Sequence, residues 1–227
     1  MHKTVIRFLF IISVLVLLCA CASQPRQLPP DRPVPHPSIS EIVTDFPKWE
    51  RIKQQEKLFA SFEGPAAHGA DAEKAAQWAA LYEQCLSVDI LTKLNMVNLF
   101  FNQWPYLEDD ENWGIEDFWA LPHEFMARSG DCEDFAIAKY YALKALAVPP
   151  GDMCITVVWN TKMLEGHAVL LVRADGVDYV LDNFRDELLP KAQTPYYIPL
   201  FYINETLIWL DPDVKHRRPA LSAAFDE

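Results

Sequence analysis

Three carboxylates crowd one thiol in the stretch Ser129–Gly130–Asp131–Cys132–Glu133–Asp134. A cysteine attacks as its thiolate, so it needs a base, and the base needs a group to orient it. Outside the first twenty residues the histidines are His36, His68, His123, His167 and His216, and only His167 opens a predicted strand. One hairpin later, Val180–Leu181–Asp182–Asn183 closes the neighbouring strand on a carboxylate. Antiparallel strands joined by a turn at Asp175–Gly176 bring His167 and Asp182 toward one end of a sheet. The residue types and their order, Cys132, His167, Asp182, are those of nucleophilic acyl chemistry. A His and an Asp on adjacent strands can equally be a structural pair, and a free cysteine a small buried residue. Spacing alone leaves both readings open.

The elements that must position these groups follow from pattern. From Phe135 to Val148 the only charged residues are Lys139 and Lys144, so this segment is predicted as a helix buried around most of its circumference. Ala136, Ala138, Ala142, Leu143, Ala145 and Leu146 favour it, and Pro149–Pro150 ends it. Asp131 falls at the N-cap and Asp134 at N3 of an approximate capping box, which puts Cys132 in the first turn. There the unpaired N–H groups and the helix dipole favour a thiolate.

Upstream, a short helix interrupted by Pro47 is expected within Ser38–Gln55, then a loop over Phe62–Ala70 and a helix over Asp71–Cys85. Ser87 could cap a second helix, on which Ile90, Leu91, Leu94, Val97 and Phe101 form one apolar stripe, read as core. Pro105–Ala120 reads as an acidic loop whose interleaved tryptophans suggest that it folds back over something, and Pro122–Arg128 as a short helix. After Pro150 come strands at Cys154–Trp159, His167–Arg173 and Tyr179–Leu181, with one or two more across Tyr197–Asn204 and Leu207–Leu210. Helices first and a mostly antiparallel sheet afterwards means α+β. Cys85 and Cys154 are expected as two buried thiols rather than a disulfide.

The first twenty residues read as an address. His2, Lys3 and Arg7 precede apolar runs from Phe8 to Ile12 and Val14 to Leu18, too short for a permanent span. Leu18–Cys19–Ala20–Cys21 resembles a bacterial lipobox, with Cys21 the residue lipidated and exposed as the mature N-terminus. Three segments follow: a lipoprotein signal peptide (1–20), a Pro-rich tether from Cys21 to Pro37, and a domain over 38–227. Ala22 is not the aspartate of an inner-membrane retention signal, so the reading is a lipid-anchored envelope protein facing the periplasm, leaning to the outer membrane. The net charge of −12 becomes −14 once Lys3 and Arg7 are removed, which excludes nucleic acid and anionic lipid headgroups as partners and favours divalent cations.

Ser129-Gly-Asp-Cys-Glu-Asp-Phe-Ala-Ile-Ala-Lys-Tyr140, Gly166-His-Ala-Val-Leu170 and Val180-Leu-Asp-Asn183 resemble the bacterial transglutaminase-like cysteine proteinases. Trp113–Gly114 and Trp119-Ala-Leu-Pro-His-Glu124 fit the same pattern, and the resemblance runs from about Leu94 to Trp209. That group includes LapG-type periplasmic proteases, which release biofilm adhesins from the cell surface. The resemblance implies a papain-like/transglutaminase-like fold and a triad of Cys132 as nucleophile, His167 as general base and then acid, and Asp182 orienting the imidazole. It also implies calcium held by Asp131 and Glu133, a protein substrate such as a surface adhesin, and an inner-membrane receptor as a possible partner. Calcium has a separate physical motive, since several carboxylates beside a thiolate oppose its charge and a cation would offset them. Two other readings share the fold: acyl transfer (transglutaminase or deamidase), and a non-catalytic lipoprotein that uses the cleft for binding.

Overall fold

The computed structural model describes residues 46–54 and 72–214. The signal, Cys21, the tether, the loop expected at Phe62–Ala70 and the last thirteen residues lie outside the described residues. Pro47 starts a helix instead of interrupting one: α1 runs Pro47–Gln54, with proline where a missing N–H costs nothing. Its Trp49 and Ile52 are fully buried, and Trp49 Nε1 donates to Asn204 O at 3.0 Å. α2 (Ala72–Cys85) and α3 (Ile90–Phe101) follow. The cap of α3 is Asp89 and not Ser87, because Thr92 offers it both a backbone N–H (3.0 Å) and a hydroxyl (2.6 Å). Leu94, Val97 and Phe101 are fully buried against Trp78 and Phe125, so the stripe is core as expected.

The expected acidic loop contains one further turn of helix, α4 (Asp109–Trp113), closed by Gly114 at φ 70°. α5 spans Pro122–Arg128 and α6 spans Cys132–Ala145, where every residue from Asp134 to Leu143 is buried. Six strands then form one antiparallel sheet: β1 (Met153–Asn160), β2 (Glu165–Ala174), β3 (Val177–Asp182), β4 (Arg185–Pro190), β5 (Tyr197–Ile203) and β6 (Ile208–Leu210), ordered β4-β3-β2-β1-β5-β6. The α+β reading holds. α6 lies on β2 and β1, so the helix start and the His167 end of β2 meet on one side of the sheet. Cys154, Val158, Val169, Leu171 and Val180 form a second apolar cluster with Tyr197, Tyr202 and Trp209, which explains why β1 and β2 read as apolar on both faces. Cys85 and Cys154 are buried free thiols. Among the described residues no helix is long and apolar enough to cross a membrane.

Candidate active site

Cys132 opens α6, so its own N–H is one of the first-turn donors without an intrahelical acceptor. The approach to it is set by Ser129, whose backbone takes the left-handed φ of 65°. Ser129 Oγ donates to Pro105 O, and Asn112 Nδ2 donates to Ser129 O at 3.2 Å. Gly130 comes next because a Cβ there would overlap the Asp134 carboxylate. Its carbonyl accepts from Leu107 N at 3.0 Å, which lays Tyr106 beside the nucleophile turn.

Across the cleft, β2 carries His167 and β3 carries Asp182, both buried. The register pairs Leu170 with Leu181, and His167 Nε2 reaches Asp182 Oδ1 at 2.9 Å. Two more donors converge on that carboxylate, Phe184 N at 3.0 Å and Tyr197 OH at 2.5 Å. Burial works to raise the Asp182 pKa, yet the hydrogen bonds and charge of His167, with Tyr197 and Phe184, hold it below the usual carboxylate value. An ionised Asp182 makes Nε2 the donor and leaves Nδ1 free to accept a proton. The Phe184 ring lies flat on the imidazole, with centroids 4.4 Å apart and planes 2° apart. The amide of Ala168, next along β2, faces the Cys132 sulfur and favours its ionised form. The three expected triad residues are thus brought to one place by α6, β2 and β3. Phe184, Tyr197 and Tyr106 join them without any signal in the local sequence.

The acids around Cys132 behave differently from the expected cap. Asp131 occupies the N-cap position, but its side chain makes no capping hydrogen bond. Asp134 Oδ1 accepts from Ala120 N at 2.6 Å. Asp109 Oδ2 accepts from Phe118 N. Among the described residues Asp109 Oδ1, Asp131 Oδ1 and Asp134 Oδ2 are buried with no hydrogen-bond partner. Oxygens of Asp109, Asp131 and Asp134 come within 4.8 Å of one another, as do those of Asp109, Asp117 and Glu133. Oxygens around one calcium ion, each about 2.3–2.6 Å from it, fall within about 5 Å of each other. The donor set is all hard carboxylate, so it fits such an ion. Asp109 lies in the acidic loop, which folds back over the α6 start as its tryptophans suggested: Trp119 is buried and Trp113 packs on Phe118 at 4.6 Å.

The electrostatics of this cluster are those of crowded like charges. Burial first, and repulsion among neighbours second, push Asp131 and Asp134 up from ordinary carboxylate values. Burial also raises Glu133, with Asp134 adding to it. Burial, then Glu133 and Asp131, drive the Cys132 thiol well above its normal pKa. Cys132 Sγ donates to Glu133 Oε2 at 3.3 Å, the arrangement of a protonated thiol.

Comparison with known proteins agrees with this geometry. The model of the bacterial transglutaminase-like cysteine proteinases matches residues 69–213. The chain belongs to that family. It is a transglutaminase-like cysteine protease by family and fold. Calcium-bound LapG of Legionella pneumophila is 29% identical, with a TM-score of 0.57 over 70% of this chain and 87% of that one. The EGTA-treated form of the same protein gives 28% and 0.59, over 70% and 86%. A third LapG structure gives 28% and 0.58, over 73% and 92%. No curated protein matches the chain.

Proposed function

We propose that this protein is a calcium-dependent cysteine endopeptidase of the cell envelope, with Cys132, His167 and Asp182 as its triad, cleaving a surface or periplasmic protein such as a biofilm adhesin. The observation that carries the triad is the 2.9 Å contact between His167 Nε2 and an ionised Asp182, in a strand whose next amide faces the Cys132 sulfur. In this reading Asp182 fixes the imidazole with Nε2–H toward itself, so Nδ1 takes the thiol proton. The thiolate attacks the scissile carbonyl carbon. The oxyanion that forms is stabilised by the Cys132 N–H at the start of α6. His167 then returns the proton to the leaving amine and activates the water that releases the acyl group.

The cation reading rests on the three partnerless oxygens of Asp109, Asp131 and Asp134, with Glu133 completing the set. Calcium is the ion bound in a LapG structure similar to this chain. Bound there, it would supply positive charge that relieves the carboxylate repulsion and ties the 109–120 loop to α6. The adhesin substrate and an inner-membrane receptor as partner are carried over from the family resemblance read in the sequence. Comparing new protein N-termini in envelope and medium, with active protein and with a Cys132→Ala chain, tests the activity. An absence of any Cys132-dependent cleavage would overturn the endopeptidase reading.

Attachment is proposed to run through Cys21, at the outer membrane. A multiply acylated terminus holds a membrane firmly where a single chain binds reversibly. Cys21→Ser is therefore expected to abolish fatty-acid labelling and release the protein from the membrane fraction. Labelling that persists in the variant would place the anchor elsewhere.

A further inference from the structure

Lys139 is one of the two charged residues of the buried helix segment, and the chemistry above does not use it. It follows Cys132 by two helical turns on the same face of α6. Its side chain is only 1% exposed, and burial pulls its pKa down to about 7 against the opposing pull of Asp182 and Asp186. Nζ donates to Asn98 Oδ1 at 2.8 Å and to Asn102 Oδ1 at 2.7 Å. Asn98 lies on α3 and Asn102 is its C-cap one turn later, and their amides turn the same way. Asn102 Nδ2 donates to Asp182 O and Arg185 O, both at 2.9 Å, and to Asp186 Oδ1 at 3.1 Å. Asn98 Nδ2 donates to Arg185 O at 2.9 Å and Asp186 O at 3.2 Å.

Every one of those acceptors belongs to the strand ends on either side of the β3–β4 turn. Asp182 pairs with Arg185 across it, and it carries both groups that hold the imidazole, the Asp182 carboxylate and the Phe184 ring. A buried amine is an expensive way to join two helices, since an apolar residue of the same size packs at lower cost. What the lysine adds is direction. It fixes both asparagine amides with oxygen inward and N–H outward, which a methionine cannot do.

We propose that Lys139 is a positioning residue, which locks the 182–186 turn, and with it Asp182 and Phe184, to the helix bearing Cys132 through Asn98 and Asn102. This rests on the triad reading.

The test reads the site without a substrate. It uses alkylation of Cys132 by iodoacetamide, followed on its own peptide, together with the low-field NMR proton of His167 Nε2, in calcium-containing buffer below each variant's melting transition. Lys139→Met is expected to slow alkylation about tenfold or more and to broaden the His167 proton, since a displacement of about 1 Å can cost a hundredfold. Asn102→Ala should do the same at less risk to folding, because Asn102 is only partly buried. The double variant should be no slower than the slower single, because both act along one route. Wild-type alkylation and a sharp His167 proton in Asn102→Ala, or in a folded Lys139→Met, would make the lysine merely structural and overturn the proposal. Asp182→Asn separates the two ideas. If it slows alkylation while the Lys139 and Asn102 variants do not, only this proposal fails. If it too reacts like wild type, the triad reading fails and takes the proposal with it.

Discussion

Replacing Cys132 with alanine is expected to leave a folded protein with no measurable proteolysis, turnover falling by about five orders of magnitude or more, as removal of a covalent nucleophile does elsewhere. Little packing is at stake, because the side chain is half-buried and loses a single sulfur atom. Stability should change by no more than about 1 kcal/mol, since the variant loses only the weak contact of a neutral thiol with Glu133. His167→Ala should lose comparable activity at a visible cost in stability. It strips one of three donors from the buried Asp182 and takes away the ring under Phe184. An under-satisfied buried acceptor of this kind costs about 1–3 kcal/mol. Asp182→Asn should fall in between, because an amide can present its N–H to Nε2 and so favour the wrong tautomer. Cys85→Ser and Cys154→Ser, if folded, should cleave normally. Wild-type turnover in Cys132→Ala, or inactivity that tracks Cys85 or Cys154 instead, would remove Cys132 from the mechanism.

What could be read ahead of the structure was whatever is local. The nucleophile helix announced itself by fourteen residues with two charges and a double-proline stop, and it runs Cys132–Ala145. The hairpin joining His167 to Asp182 was legible because both strands are apolar and the turn is Asp175–Gly176. β4 was not, since Arg185–Pro190 is a charged edge strand ending in proline, built to discourage further pairing and so lacking the alternation that betrays a strand. The acid cluster was half legible. Asp131 and Glu133 flank the thiol in sequence, but Asp109 reaches them only because the loop folds back, and Asp117 only through the same fold. Asp134 looked like a cap partner, yet its hydrogen bond is to Ala120, fourteen residues upstream. Asp131 was misread as a capping side chain because helix-start rules count local N–H groups and cannot see a carboxylate held for something else. Lys139 carried a visible oddity, a charge inside a buried helix, whose partners on α3 and the β3–β4 turn are far away in sequence.

Chelation of calcium is expected to lower activity and thermal stability together, with calcium restoring both and magnesium restoring less, because magnesium gives up its waters reluctantly. The driving force is the spacing of the acids. Charges within 4.8 Å of one another repel by about 3 kcal/mol per pair at an effective dielectric near 20. The helix dipole returns only up to about 1 kcal/mol, so without a cation the cluster relieves itself by holding protons, as the raised pKa values of Asp131, Glu133 and Asp134 record. The sign of the pH effect follows. A carboxyl whose folded pKa is raised binds its proton more tightly in the folded chain than in the unfolded one. Its contribution is therefore full at low pH and is lost as pH climbs from the ordinary carboxylate range, about 4, through the raised values. In chelator the melting temperature should fall as pH rises from about 5 to 8, and saturating calcium should flatten or reverse that slope. Asp109→Asn gives the sharper check, since Asp109 is far from the thiol in sequence and caps nothing. It should weaken calcium binding at least about tenfold while leaving the chelated protein no less stable, because it removes one of the repelling charges. Glu133→Gln should weaken binding in the same way. Calorimetric titration with an unchanged calcium affinity in Asp109→Asn, or a wild-type protein indifferent to chelator in both melting and cleavage, would mean that these carboxylates are held together by something other than an ion.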